Sequence, residues 1–115
     1  MKMKTGRFCD DPADIEVIFQ FNNQRHFPTQ NGYRPMHLVL PDCLTTGVHY
    51  YYDVPYAIPN EKVRGTITFI QPDAYPKTMY IGKTIPIQEG NRVVGYATVR
   101  KILNPILQAE NNQAD

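Results

Sequence analysis

The stretch Asp14-Ile15-Glu16-Val17-Ile18-Phe19-Gln20-Phe21 constrains the fold more than any other part of the chain. Ile15, Val17, Phe19 and Phe21 share one parity, with Glu16 and Gln20 on the other. Side chains of an extended strand alternate between two faces, so this pattern specifies a strand buried on one side only. Such a strand needs partners that cover its apolar face, and the rest of the sequence supplies them. Further runs of strand character are Met-His-Leu-Val-Leu (36–40), Gly-Val-His-Tyr-Tyr-Tyr-Asp-Val (47–54) and Val-Arg-Gly-Thr-Ile-Thr-Phe-Ile (63–70). Two more follow, Met-Tyr-Ile-Gly-Lys-Thr-Ile-Pro-Ile (79–87) and Arg-Val-Val-Gly-Tyr-Ala-Thr-Val-Arg-Lys-Ile-Leu (92–103). The segments between them are rich in Pro, Gly, Asn and Asp, drawing on 10 prolines and 7 glycines in 115 residues. Helical periodicity is absent apart from a weak turn in the polar tail after Pro105.

A chain of this length supports one modest core. The reading is all-β: six strands closed into a small barrel, or a sandwich. The expected organisation is a lead-in over 1–13, a barrel domain over 14–107 and a polar tail over 108–115. Gly65 is expected to mark a bulge or a point of close packing. In the last strand, Val93, Ala97 and Val99 are expected to face opposite to Val94, Tyr96, Thr98 and Arg100. Tyr50, Tyr51 and Tyr52 are consecutive, so a strand must turn at least one of them to the surface.

Few residues suggest catalytic or cofactor chemistry. Gly82-Lys83-Thr84 ends like a phosphate-binding loop, but position 77 is Lys where that motif needs Gly, and the triplet lies in a strand pattern. His26, His37 and His49 are isolated in sequence, without the close spacing of a zinc site. Neither Cys9 nor Cys43 has an evident base beside it, and the carboxylates form no acid–base pair. Two cysteines so far apart fit reduced thiols in a cytoplasmic protein better than a disulfide framework. The formal net charge is +1, so no global field recruits nucleic acid or membrane. The basic start lacks the apolar run of a secretory signal, and no segment reads as a bilayer span. The expectation is a binding or structural module, with no cofactor, no metal and no enzymatic activity.

Three segments carry a family likeness. Arg25-His26-Phe27-Pro28, three residues, then Gly32-Tyr33-Arg34-Pro35 resembles the loop-to-strand entry of the C-terminal barrel domain of bacterial elongation factor Tu. Residues 57–72, Ala-Ile-Pro-Asn-Glu-Lys-Val-Arg-Gly-Thr-Ile-Thr-Phe-Ile-Gln-Pro, are similar to that domain's proline turn, apolar strand and closing proline. Residues 87–103 resemble its final hairpin. The likeness covers about residues 14–103. It implies a six-stranded antiparallel closed barrel of the elongation factor Tu C-terminal domain type. The GTPase domain that precedes this barrel in the family has no counterpart here, so no GTP binding is expected.

In the family this third domain grips the T-stem of aminoacyl-tRNA and meets protein factors. By position in the matching motifs, the resemblance assigns that grip to Arg25, His26, Thr46, Glu89 and Gly90. Gln88 and Asn91 complete the same turn but depart from the family, which has Arg and Gly there. Asn is the bulkier residue, tolerated where φ is positive. Met36 stands where the family has Gln. These changes remove cationic and amide contacts, and phosphate binding depends on accumulating cations. The leading expectation is therefore protein–protein contact, as a mimic of the third domain. The chain would act as an immunity or decoy protein for a factor or toxin that recognises elongation factor Tu. The alternative is binding of tRNA or another structured RNA through Arg25, His26 and the Glu89-Gly90-Asn91 turn.

Overall fold

The computed structural model describes residues 12–23 and 28–110. Its strands are β1 (Ile15–Phe21), β2 (Thr29–Gln30), β3 (Met36–Leu40), β4 (Cys43–Tyr51), β5 (Tyr56–Ala57), β6 (Lys62–Phe69), β7 (Thr84–Glu89) and β8 (Arg92–Ile102). Six of them close an antiparallel barrel in the order β1-β6-β4-β3-β7-β8, and β8 pairs back onto β1. The two-residue strands β2 and β5 pair only with each other.

The alternation of β1 does what the sequence requires. Ile15, Val17, Phe19 and Phe21 are buried, and they meet Ile67 and Phe69 of β6, Ile85 and Ile87 of β7, and Ala97 and Val99 of β8 in one core. Full burial of each large apolar side chain contributes about 1.5–3 kcal/mol. Tyr51 is buried, Tyr52 half-buried and Tyr50 exposed, as strand parity demands. Gly65 is a point of close packing: a Cβ there would stand 2.0 Å from the carbonyl oxygen of Tyr50.

Two details differ from the sequence pattern. The fifth barrel strand starts at Thr84, not at Met79, because Lys83 N–H donates to the Tyr80 carbonyl and closes a turn. Met79 keeps only an isolated parallel bridge to Gln108. In β8, Val94 is the inward residue and Val93 is half-buried. Here Ile87 faces Gly95 while Gln88 faces Val93, so Val94 is the extra residue of a bulge, which resets the parity.

The segments flanking β1 and β8 are tied to the barrel. The carboxylate of Asp14 accepts from Phe69 N–H at 2.7 Å and from Asn104 Nδ2 at 2.9 Å. Pro105–Leu107 forms a single 3-10 turn where a weak turn is expected. Ala109 N–H donates to the Met79 carbonyl at 2.7 Å, so contacts run past residue 107. The barrel's thinnest seam is between β3 and β7, which pair only at Met36–Gln88 and His37–Ile87. Beyond that point the Lys83 ammonium donates to the carbonyls of Val39 at 2.7 Å and Thr78 at 2.5 Å. Burial pushes its pKa below the usual lysine value. The lysine of the Gly-Lys-Thr triplet thus satisfies backbone oxygens.

Candidate binding surface

The hairpin tip between β7 and β8 holds four of the sequence-assigned residues. Glu89 and Arg92 are the last facing pair, and Gly90 and Asn91 form the turn. Gly90 takes φ +64°, and Asn91 does not adopt positive φ, so the tolerance expected of an Asn there is not used. The Glu89 carboxylate accepts from the Tyr33 hydroxyl at 2.5 Å and lies 3.6 Å from the Arg92 guanidinium. The tip is therefore held by a tyrosine from the segment before β3, with Arg92 as the cation beside Glu89 among the described residues.

Thr46 reaches the same region through one intermediary. Met36 of β3 faces Thr46 of β4 on one side and Gln88 of β7 on the other. The Thr46 hydroxyl donates to the Met36 sulfur at 3.3 Å. All three side chains point outward and are half-buried. Thr46, Gln88, Glu89, Gly90 and Asn91 therefore share one end of the barrel wall. Arg25 and His26 lie outside the described residues.

The interior holds a polar constellation that residue spacing in the sequence conceals. His37 of β3 and His49 of β4 both point into the barrel and are fully buried, with their Nε2 atoms 2.8 Å apart. Gly47 makes the room: a Cβ there would come within 3.0 Å of the His37 ring. His37 Nδ1 lies 3.1 Å from the Thr45 carbonyl, and His49 Nδ1 lies 3.1 Å from the Tyr51 hydroxyl. Tyr51 Oη in turn lies 2.6 Å from Thr29 Oγ1.

Hydrogen-bond rules fix every proton in this chain for neutral rings. A carbonyl only accepts, so His37 Nδ1 carries hydrogen and His37 Nε2 is a lone-pair acceptor. His49 Nε2 must then donate, which leaves His49 Nδ1 to accept from Tyr51. Tyr51 Oη accepts from Thr29 Oγ1. The bonds run one way, from Thr29 through Tyr51, His49 and His37 to the Thr45 carbonyl. Thr45 also bonds through its side chain to the Tyr75 hydroxyl.

Rings surround the pair. Phe19 packs on His49 with centroids 4.3 Å apart, and Phe69 meets His37 edge-on at 5.6 Å. Burial pushes the His37 pKa down to about 4, against a smaller opposing effect of its bond to Thr45. Burial, and then the neighbouring His37, hold His49 well below the usual histidine value. Both rings are neutral at pH 7. The network links β3 and β4 to β2, and acts as a polar spine for that end of the barrel.

Among the described residues, no group of three or more His, Cys, Asp or Glu side chains is placed to hold a metal ion. No helix among them is long and apolar enough to cross a membrane. Cys43 is half-buried with a free thiol. A scan against known protein families finds no match for this chain.

Proposed function

We propose that this chain is a non-catalytic binding module that works by protein–protein contact in the cytoplasm. It acts as a stand-in for the third domain of elongation factor Tu, which its motifs resemble. In this reading it occupies a factor or toxin that would otherwise engage the translation factor, as an immunity or decoy protein does. One observation carries the preference for protein over RNA. At the hairpin tip, the Glu89 carboxylate is held by Tyr33 while Arg92 stands beside it, so among the described residues the turn presents backbone and amide groups with one cation matched by one carboxylate. An RNA grip draws its affinity from several cations facing phosphates. A tip of balanced charge suits a protein surface better. The row Thr46–Met36–Gln88 extends that surface with a hydroxyl, a thioether and an amide.

The test pairs affinity capture from the source cell with a tRNA titration. The expected result is one specific protein whose binding is displaced by isolated elongation factor Tu third domain and weakened by Gln88→Glu or Asn91→Glu. Micromolar binding of aminoacylated or free tRNA, with a steep loss on raising salt, would establish the RNA-binding alternative instead.

A further inference from the structure

A second surface lies on the outside of β1. The alternation that buries Ile15, Val17, Phe19 and Phe21 turns Glu16, Ile18 and Gln20 outward. Register places Lys62 of β6 and Tyr96 of β8 on either side of Gln20, and Arg64 and Thr98 on either side of Ile18. A groove of about 410 Å³ runs along this face, floored by Ile18 and Gln20 and walled by Asn60, Lys62, Tyr96 and Arg100.

A bulge adds to its charge. Val17 faces Val99 and Glu16 faces Lys101, so Arg100 is an extra residue in β8. Bulges re-aim side chains, and here both Arg100 and Lys101 are exposed, where strict alternation would turn one inward. The outer faces of β6, β1 and β8 beside the groove thus carry Lys62, Arg64, Arg100 and Lys101 against the single carboxylate of Glu16. Glu16 accepts from the Tyr52 hydroxyl at 3.1 Å, and Arg64 has Asp53 at 3.7 Å on the rim. Lys62, Arg100 and Lys101 make no ion pair among the described residues. In a chain of net charge +1 this is a concentrated local excess.

We propose that this groove docks an acidic, extended segment of the protein partner; the inference rests on the protein-contact reading above. Closure of the barrel leaves no free strand edge within it, so a bound segment must be held by side chains rather than by strand addition. Lys62 stands level with Gln20 on one wall and Arg100 level with the Glu16/Val17 bulge on the other, so along β1 they are offset by about 10–13 Å. An extended peptide lying along the groove sends residues i and i+3 to opposite walls about 10 Å apart along its axis, so carboxylates at that spacing meet both cations. The amides of Gln20 and Asn60 match peptide N–H and C=O groups, and Ile18 and Tyr96 offer apolar contact. Single-stranded nucleic acid is held instead by several stacked rings along a cationic track, and this groove has one exposed ring.

The test is an amide-resolved NMR titration of the full chain with a short Glu-rich peptide carrying a central Leu, beside a single-stranded RNA oligonucleotide. Expected are shifts centred on Ile18, Gln20 and Tyr96, and about tenfold weaker peptide binding in Arg100→Glu. Lys77→Glu, the same charge change at a distant exposed site, should leave affinity nearly unchanged. Equal weakening by both variants, or shifts centred elsewhere, would overturn the groove. Loss of nothing but the peptide interaction, with Arg100→Glu still capturing the protein partner, sinks the groove and spares the protein-contact reading. Tighter binding of RNA than of peptide on these residues overturns both.

Discussion

Lowering the pH from 7 to about 5 should destabilise this barrel through its two buried histidines, by an amount the structure specifies. An exposed histidine titrates near 6.5. In the folded barrel His37 is held at about 4 and His49 well below its usual value, both chiefly by burial. The unfolded chain therefore binds more protons than the folded one throughout the window between about 4 and 6.5. The stabilisation is fully present above that window and lost as pH falls through it. At about pH 5 the linkage amounts to about 2 kcal/mol per histidine, or about 4 kcal/mol for the pair, relative to neutral pH. A somewhat lower folded value changes this little, because at that pH the native rings are already mostly neutral. Among the described residues, the rings packed on the pair are Phe19, Phe21, Tyr33, Tyr51 and Phe69, and no carboxylate is among the causes of either shift.

Urea unfolding at the two pH values measures the effect, and a loss of that size moves the midpoint by about 2 M for a typical small-domain slope. Carboxylates titrate in wild type and in a His37→Leu/His49→Leu variant alike, so the difference between the two isolates the histidines. An unchanged pH dependence in the double variant would refute the reasoning. So would imidazole resonances of His37 or His49 that titrate near 6.5 in the folded protein.

Three further outcomes follow from the geometry. Gly65→Ala places a methyl group 2.0 Å from the Tyr50 carbonyl oxygen and 2.9 Å from the Phe19 ring, and should cost about 3 kcal/mol in chemical denaturation. Lys83→Met removes the donor to the carbonyls of Val39 and Thr78, and should lower stability by about 1–3 kcal/mol, with faster amide exchange along β3 and β7. Asp14→Ala strips Phe69 N–H and the Asn104 amide of their acceptor, with an expected loss of about 2–3 kcal/mol and selective exposure of the Phe69 amide to exchange.

The fold was legible because strand parity is a local property. Ile15 to Phe21 announces its buried face residue by residue, and the tyrosine triplet had to split between faces. What parity alone missed were the places where backbone geometry interrupts it. The bulge at Val94 exchanged the roles of two adjacent valines, and the turn ending at Lys83 removed half of a strand drawn from composition. The candidate surface was legible in part. Gln88 to Asn91 adjoin in sequence, while their approach to Thr46 depends on Met36 facing both β4 and β7. The histidine pair was hidden by its spacing, although one signal existed. His37 shares parity with Val39, and His49 with Tyr51, so both belong on inward faces. That β3 and β4 bring those two positions together is a matter of hairpin register, which His37 opposite Thr45 fixes only in three dimensions.

The position of β1 has a consequence for how the chain is made. Its two hydrogen-bonding neighbours are β6 and β8, so Ile15 waits for Ile67 on one side and Ile102 on the other. During synthesis β1 has both flanks unpaired until β6 is made, and one flank unpaired until β8 follows. Contacts of such long sequence separation make for slow folding and a prolonged aggregation-prone interval. Closure of the barrel therefore waits for β8, and a chain that stops before β8 leaves β1 with one open edge and no closed barrel.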